Sequence, residues 1–446
     1  MSRQGTLSGE PLEQVAAGAV EHATRRGAKE AAASVRRSRA VSVEYRNGEL
    51  EQLRDSQSSG LSIALFVDGR YSSNVTSDLR PSAVKEFIER SIELTRLLAE
   101  DPYRGLADPE LYENRPTTDL ESWDPSYDEL DPEQRKKSAM ETARAGRAAE
   151  GPIISATGSY TDQRGELARV HSNGFAGAHR ATQFWLGAEV SVRDEGDRKP
   201  EDWHFAGSRL LSRLAEPEEV GREAARRARS RLGQKKLAGG EMTVIVDSRV
   251  AGLLGSVLLG AISGVALHQK RSFLLGGLEK RVGSPRLTLI DDPLMPGGFG
   301  SRHFDSDGMS SRKRTLFDGG VLREYLLDVY YARKMGMEPT GGGVANLVLP
   351  PGEKSVEQLA EDVGSGVYVT GVLGGNADGT TGDFSHGIVG FEITGGKIGD
   401  PVGEMNVTGS HANLWDRLVA VGNDPYPYSA NRLPSLVFDK VAVSGT

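Results

Sequence analysis

The chain has 446 residues, of which 37% are hydrophobic and 26% charged, and its net charge is -8. This length and composition are typical of a globular protein of two or three domains and exclude a collagen, a coiled coil or a disordered chain. A negative protein repels the phosphate backbone, so we expect no nucleic-acid binding. The absence of cysteine excludes disulfides, thiol catalysis and thiolate ligands to a metal.

The distribution of apolar residues bears on membranes and secretion. No apolar run approaches the roughly 18 residues that a membrane helix needs. The first residues, Met1 to Thr6, contain no apolar segment typical of a signal peptide. We therefore expect a cytoplasmic protein that binds no membrane.

The N-terminal part combines predicted helices with predicted hairpins. Apolar residues at helical spacing predict a helix over 12–26. Asn47-Gly48 predicts the turn of one hairpin and Asp68-Gly69 the turn of a second, with separate strands before and after residue 60. A proline suited to a first helical turn predicts another helix over 81–100.

The middle of the chain begins with an irregular connection near 101–131 that is rich in Pro, Asp and Tyr. A charged helix is predicted over 132–150. Strands over 153–190 follow, with a turn at Asn173-Gly174, and then an amphipathic helix over 216–232.

A new unit is predicted to begin near Gly239. A short buried strand ends at Asp247, which caps an apolar helix extending to Leu267. Short strands and glycine-rich turns follow almost to the end. The predicted fold class is α+β, in which 1–237 form an N-terminal mixed α/β part with antiparallel hairpins and 238–446 form a C-terminal β-rich, barrel-like domain.

Metal ligands at familiar spacing are absent. The eight histidines lie at least eight residues apart, so no helix carries two imidazoles one turn apart. The densest group of metal-binding side chains is His303, Asp305 and Asp307, followed by Gly308. Because this group lacks the bidentate glutamate of a calcium loop, we interpret it as a polar loop before a strand at Arg314.

Nucleophile and phosphate motifs are equally scarce. The sequence contains no Gly-x-Ser-x-Gly elbow and no phosphate-binding glycine loop. Ser385 and His386 bring a hydroxyl and an imidazole together, but adjacent residues of a strand point to opposite faces, which argues against a catalytic couple. These residues by themselves indicate an α+β protein without a defined activity.

An ordered set of short segments extends over nearly the whole chain. It comprises Asp68-Gly69-Arg70, Ala99-Glu100-Asp101-Pro102-Tyr103, Gln269-Lys270-Arg271, Phe304-Asp305-Ser306-Asp307-Gly308, Gly382-Asp383-Phe384-Ser385, Met405-Asn406-Val407-Thr408-Gly409 and Val421-Gly422-Asn423-Asp424. In this order the segments resemble the TldD/PmbA family of metalloproteases, formerly described as modulators of DNA gyrase.

The resemblance implies two kinds of subunit. The TldD type carries His-Glu-x-x-x-His on the helix after the Val-Asp strand, and a C-terminal cysteine completes its zinc site. In this chain the corresponding residues 259–266 read Leu-Gly-Ala-Ile-Ser-Gly-Val-Ala, and no cysteine follows Asp424. The chain therefore resembles the TldE/PmbA type. This implies that it has no catalytic residue, metal or cofactor of its own and that zinc is expected on a TldD-like partner.

The resemblance also implies a function. A TldE-like chain forms a heterodimer with the zinc-bearing chain, and the pair degrades or trims unstructured peptides. A peptide could be held as an added strand through its main chain. We predict that Asp383, Phe384, Ser385 and His386 line the cleft that holds it.

Two other functions stay open from the sequence. The chain could be an independent peptidase with a cryptic metal site at His303, Asp305 and Asp307. It could also be a homodimer that binds peptides without any enzymatic activity.

Overall fold

The N-terminal half is built on one sheet of six antiparallel strands in the computed structural model, which describes residues 11–445. The strands are β1 (Glu30–Arg46), β2 (Glu49–Val67), β3 (Arg70–Thr76), β4 (Ile153–His171), β5 (Ala176–Val192) and β6 (Glu201–Ser208). Their order in the sheet is β3-β2-β1-β4-β5-β6. The strands are long, up to 19 residues, so the sheet offers one extended face to helices and another to the C-terminal half.

The predicted hairpin turns are confirmed. Asn47-Gly48 joins β1 to β2 and Asp68-Gly69 joins β2 to β3, and all four residues have positive φ between 49° and 93°, as a two-residue turn requires. The prediction of separate strands before and after residue 60 was wrong, because β2 is continuous. Residues 49–59 are all exposed, so no apolar alternation marks them as a strand, and pairing with β1 alone keeps them extended.

Four helices belong to this half. They are α1 (Leu12–Arg25), α2 (Pro81–Thr95), α3 (Pro132–Ala148) and α4 (Pro217–Ser230). Helix α2 ends five residues before the predicted residue 100, because the backbone there turns to bond the β2–β3 hairpin. In that turn the N–H of Asp101 donates to the carbonyl of Gly69 at 3.0 Å.

Helices α3 and α4 lie unusually close to their neighbours. A Cβ at Gly158 would lie 2.3 Å from the backbone N of Ala143, and a Cβ at Gly221 would lie 2.3 Å from the carbonyl O of Thr142. Only glycine fits these positions. The close approach lets α3 pack directly on β4 and α4 directly on α3.

A buried ionic group lies beneath α3. Asp162 of β4 accepts a hydrogen bond from the Tyr127 hydroxyl at 2.6 Å and from Arg135 Nε of α3 at 2.5 Å. The side chains of Arg135 and Asp162 are only 4% and 0% exposed. Asp162 thus supplies the counter-charge to Arg135 where solvent cannot, although one terminal nitrogen of Arg135 has no hydrogen-bond partner among the described residues.

The C-terminal half contains a closed barrel. Its strands are β7 (Gly240–Val246), β12 (Ser365–Ala377), β13 (Asp383–Thr394), β14 (Lys397–Ser410) and β17 (Leu436–Ser444). They run β14-β13-β12-β7-β17, and β14 pairs with β17 to close the ring, while β15 (Leu418–Val421) also pairs with β17. The predicted α+β class, with a β-rich, barrel-like C-terminal part, is confirmed.

A second sheet and five helices surround the barrel. The sheet is formed by β8 (Leu289–Asp291), β9 (Arg314–Asp318), β10 (Val321–Leu322), β11 (Leu347–Val348) and β16 (Asn431–Arg432). The helices are α5 (Ser248–Ala261), α6 (Gly264–His268), α7 (Val329–Met335), α8 (Val356–Val363) and α9 (His411–Leu414). No helix within 11–445 is long and apolar enough to cross a membrane.

Two expectations for this half were wrong. The predicted helix to Leu267 is interrupted at Ile262-Ser263, because Leu326 forms backbone hydrogen bonds of 2.9 Å with both Ile262 and Gly264. The region after 286 also contains α7 and α8 and strands of up to 14 residues, where only short strands and turns were expected. The predicted boundary at 237/238 falls in the connection between α4 and β7.

We expect Asp162→Ala to lower the free energy of unfolding by about 3 kcal/mol, because it leaves the Arg135 guanidinium buried without its counter-charge. Urea denaturation followed by circular dichroism measures this. Asp55→Ala is the matched control, since Asp55 makes a two-point contact with Arg39 at the surface of the same sheet, and such pairs contribute about 1 kcal/mol or less. Equal losses in the two variants would contradict the importance of the buried group.

Candidate functional site

Helix α5 packs across the barrel and encloses a small apolar cavity. The cavity has a volume of about 40 Å³. Its walls come from α5 and from barrel strands, and they comprise Val244, Val246, Val250, Leu253, Leu254, Val369, Val372, Phe384, His386, Ile388, Val407, Leu414, Phe438 and Val441. His386 is the one polar side chain in this wall, so the helix meets the barrel through hydrocarbon.

Residues 259–266, where the resemblance implies zinc ligands in a chain of the TldD type, lie at the end of α5 and in α6. Leu258, Ala261 and Ile262 are buried in the core here, and a Cβ added at Gly264 would lie 2.6 Å from the Tyr331 Cβ. Within 11–445 no three His, Cys, Asp or Glu side chains converge to hold a metal ion. The residues at this position therefore do not fit a zinc ion.

The four predicted peptide-binding residues begin β13. Asp383 and Ser385 are exposed, Phe384 is buried and His386 is half-buried, as alternation along a strand requires. Their backbone pairs with β12 on one edge and with β14 on the other. An added strand cannot form main-chain hydrogen bonds with these residues. Their predicted role in peptide binding is therefore limited to contacts through their side chains.

A free strand edge lies next to them, on β12. Residues 366–369 of β12 pair with β7, but β7 ends at Val246, and residues 371–377 have no backbone partner on that side within the described part of the chain. Gly374 and Gly375 have φ of 149° and 145°, which side-chain-bearing residues rarely adopt. A Cβ at Gly374 would meet nothing within 4 Å, and residues 373–377 are exposed.

Two histidines, His386 and His411, pack against the ring of Phe384 on the strand next to this edge. The Phe384 ring lies between them, 5.5 Å from the His386 ring and 4.9 Å from the His411 ring. Burial, and then the nearby His386, lowers the pKa of His411 to about 4, and burial lowers the pKa of His386 as well. Both imidazoles are therefore neutral at pH 7. Sequence reasoning missed His411, because nothing local connects it with a residue 25 positions earlier.

The other candidate group, His303, Asp305 and Asp307, does not converge. His303 Nε2 lies 2.8 Å from the carbonyl O of Thr118. Asp305 Oδ1 accepts from the N–H groups of Asp307 and Met309, and Asp307 Oδ2 accepts from the N–H of Val329. The Asp305 carboxylate thus fixes the turn that follows it, and the Asp307 carboxylate bonds the first residue of α7.

This turn connects the two halves of the chain. Arg169 of β4 donates to the carbonyl of Asp305 at 2.7 Å, and the ring of Phe304 packs against Phe175 at 5.2 Å. Burial raises the pKa of Asp305. Burial, and then the neighbouring Asp305, raises the pKa of Asp307 to about 6.

Three family models match this chain in succession. They are described as PmbA/TldA metallopeptidase domain 1, over 31–95, central domain, over 125–232, and C-terminal domain, over 239–445. Metalloprotease PmbA of Escherichia coli O157:H7 is 31% identical over 415 residues, which cover 92% of this chain and 91% of that protein. A PmbA homologue of Haemophilus influenzae is 30% identical over 97% of this chain and 96% of its own length.

Solved structures agree in fold. A crystal structure from Bacteroides thetaiotaomicron, described as a modulator of DNA gyrase, has a TM-score of 0.94 at 39% identity and covers 97% of this chain and 99% of that one. TldE from Thermococcus kodakarensis has a TM-score of 0.85 at 20% identity, over 97% of this chain and 100% of that one. The second likeness shows the fold alone.

We expect Asp307→Asn to stabilise the protein at pH 7.5 by on the order of 1 kcal/mol. The raised pKa means that the folded state binds a proton more tightly than the unfolded state, whose pKa stays near 3.8. Wild type therefore loses stability as pH rises from about 4 through 6, whereas asparagine stays neutral and still accepts from Val329. Urea midpoints between pH 4 and pH 8 measure the difference.

The control for this titration is Asp318→Asn, which replaces an exposed carboxylate on β9. An equal pH dependence in the two variants would contradict the role of the buried carboxylate. A gain for Asp307→Asn that is equally large at pH 4 would contradict the assignment.

Proposed function

The chain belongs to the PmbA/TldD metallopeptidase family, and we propose that it is the non-catalytic subunit of a two-part zinc metallopeptidase. The proposal rests on the residues found at the end of α5. Residues 259–266 supply no ligand and no glutamate there, and the helix itself is interrupted at Ile262-Ser263.

The chemistry of metal-assisted peptide hydrolysis supports this role. The reaction needs a metal to polarise the carbonyl and activate water, and a base to accept a proton. The side chains that face the barrel from α5 are Val250, Leu253 and Leu254. A chain with this composition contributes binding surface, and a partner contributes the zinc.

The free edge of β12 supports peptide binding. Its exposed backbone over 373–377 offers N–H and C=O groups to an extended peptide without regard to sequence. Exposed Asp383 and Ser385 on the neighbouring strand would contact the side chains of that peptide. Unstructured peptides, which can extend fully, are the substrates that such an edge accepts.

A heterodimer with a TldD-like chain follows from the same proposal, because the pair then holds both the zinc and the peptide. The cysteine-free sequence is compatible with a reducing compartment, and we place the pair in the cytoplasm.

We expect this chain by itself to cleave no unfolded peptide and to purify without stoichiometric zinc. Mixed with a TldD-like chain encoded in the same genome, it should form a complex that holds zinc and cleaves. Peptide cleavage followed by mass spectrometry, with zinc measured by atomic emission, tests both statements. Zinc and cleavage in this chain alone, lost in His303→Ala, would instead establish the cryptic site.

We also expect Gly374→Ala to raise the KM of the mixed pair for an unfolded peptide several-fold with little change in kcat, because alanine cannot easily hold φ of 149°. Gly174→Ala is the matched control. Gly174 also has positive φ and an open position for a Cβ, but it lies in the β4–β5 turn. If both variants behave alike, the edge of β12 does not hold the peptide.

A further inference from the structure

The face of the N-terminal sheet opposite α3 contains a trough whose floor almost lacks side chains. Cross-strand pairing aligns Glu44 of β1 with Ser159 of β4, then Gly187 of β5, then Phe205 of β6. Ser159 and Gly187 stand in the middle of this row, so the centre is low and both ends are high. The space has a volume of about 340 Å³.

Aromatic rings form one wall of the trough. Trp203 and Phe205 of β6 stack with an interplanar angle of 4° and centroids 4.8 Å apart, and Trp203 remains 43% exposed. Phe205 covers one side of the indole, and Arg249 lies 5.9 Å from its centroid. A ligand in the trough therefore meets the ring edges, which suit an aliphatic stem.

The charged part of the rim consists of two carboxylates, Glu44 and Glu189, and one guanidinium, Arg46. Glu189 pairs directly with Trp203 across the strands, and no ion pair to Glu189 occurs among residues 11–445. Arg46 forms a close ion pair with Glu51, at 2.8 Å, and a longer one with Glu44, at 4.0 Å. Burial and then the Glu51 carboxylate raise the pKa of Glu44, Arg46 opposes the shift, and Glu189 adds a smaller increase.

We propose that this trough binds an extended peptide through a lysine or arginine side chain, whose methylene stem packs on Trp203 and Phe205 and whose charge meets Glu189 and Glu44. A floor of serine and glycine accommodates the peptide backbone. An aliphatic stem that ends in a cation complements both the apolar wall and the two carboxylates, which neither an aliphatic nor an acidic side chain would do.

This inference rests on the proposed function, since it names basic peptides as the class that the subunit would select. The trough is separate from the β12 edge in sequence and in chemistry. The edge binds any main chain, whereas the trough discriminates between side chains. Experiments can therefore disprove peptide binding at one of these two sites without disproving it at the other.

The test is calorimetric titration of the full chain with a capped hexapeptide, acetyl-Gly-Ser-Gly-Lys-Gly-Ser-amide, and with the same peptide carrying glutamine for lysine. We expect the lysine peptide to bind about 5-fold more tightly, as one partly exposed ion pair contributes. Glu189→Gln and Glu44→Gln should each reduce that preference. The control is Glu166→Gln, which removes a glutamate from another position on β4, outside the lining of the trough.

A second variant, Gly187→Leu, fills the trough without changing its charge. A Cβ there would press only on the mobile hydroxyl of Ser159, at 2.7 Å, so the sheet should fold, which the urea midpoint verifies. Loss of the lysine preference in this variant supports the proposal.

Equal binding of the two peptides by wild type, or an unchanged preference in Glu189→Gln and Gly187→Leu, overturns the proposal. So does a change of oligomeric state in these variants without any peptide binding, because the trough would then be covered by a second copy. Cleavage by the mixed pair is measured in parallel. Cleavage without lysine preference rejects the trough alone, and preference without cleavage rejects the two-subunit peptidase alone.

Discussion

The pairing of β14 with β17 closes the C-terminal barrel and thereby decides which backbone groups remain available to a ligand. In a closed ring, a strand between two full-length neighbours has no free edge, which is the situation of β13. Strand β12 extends beyond its partner because β7 stops at Val246, where the chain turns into α5. The free edge over 371–377 is thus a consequence of unequal strand lengths around one ring.

The same closure explains the apolar character of α5. A five-stranded barrel must be covered where the helix crosses it, and Val250, Leu253 and Leu254 provide that cover. Charged ligands at these positions would be buried without partners unless a metal compensated them. Hydrocarbon side chains at these positions avoid that cost and stabilise the contact between α5 and the barrel.

The two halves of the molecule join along the aromatic face of the N-terminal sheet. Trp185 stacks on Phe299 with centroids 4.7 Å apart, and Phe205 meets Tyr426 edge-on at 5.8 Å. The turn around Asp305 adds a second junction through Arg169. Since Phe205 is part of both the trough and the first junction, the shape of the trough depends on how these halves are held together.

The sequence determined what depends on near neighbours: the turns at Asn47-Gly48 and Asp68-Gly69, the cap at Asp247, the missing ligands over 259–266 and the ordered family motifs. Those features need only local φ preferences or residue identity. Tertiary structure alone decided the continuity of β2, the break at Ile262-Ser263, the pairing of both edges of β13, the meeting of His386 with His411 and the trough. Each of these arises because hydrogen-bond and packing partners distant in sequence compete with local preference, and a sequence pattern does not show which strand edge or side chain such partners will leave uncovered.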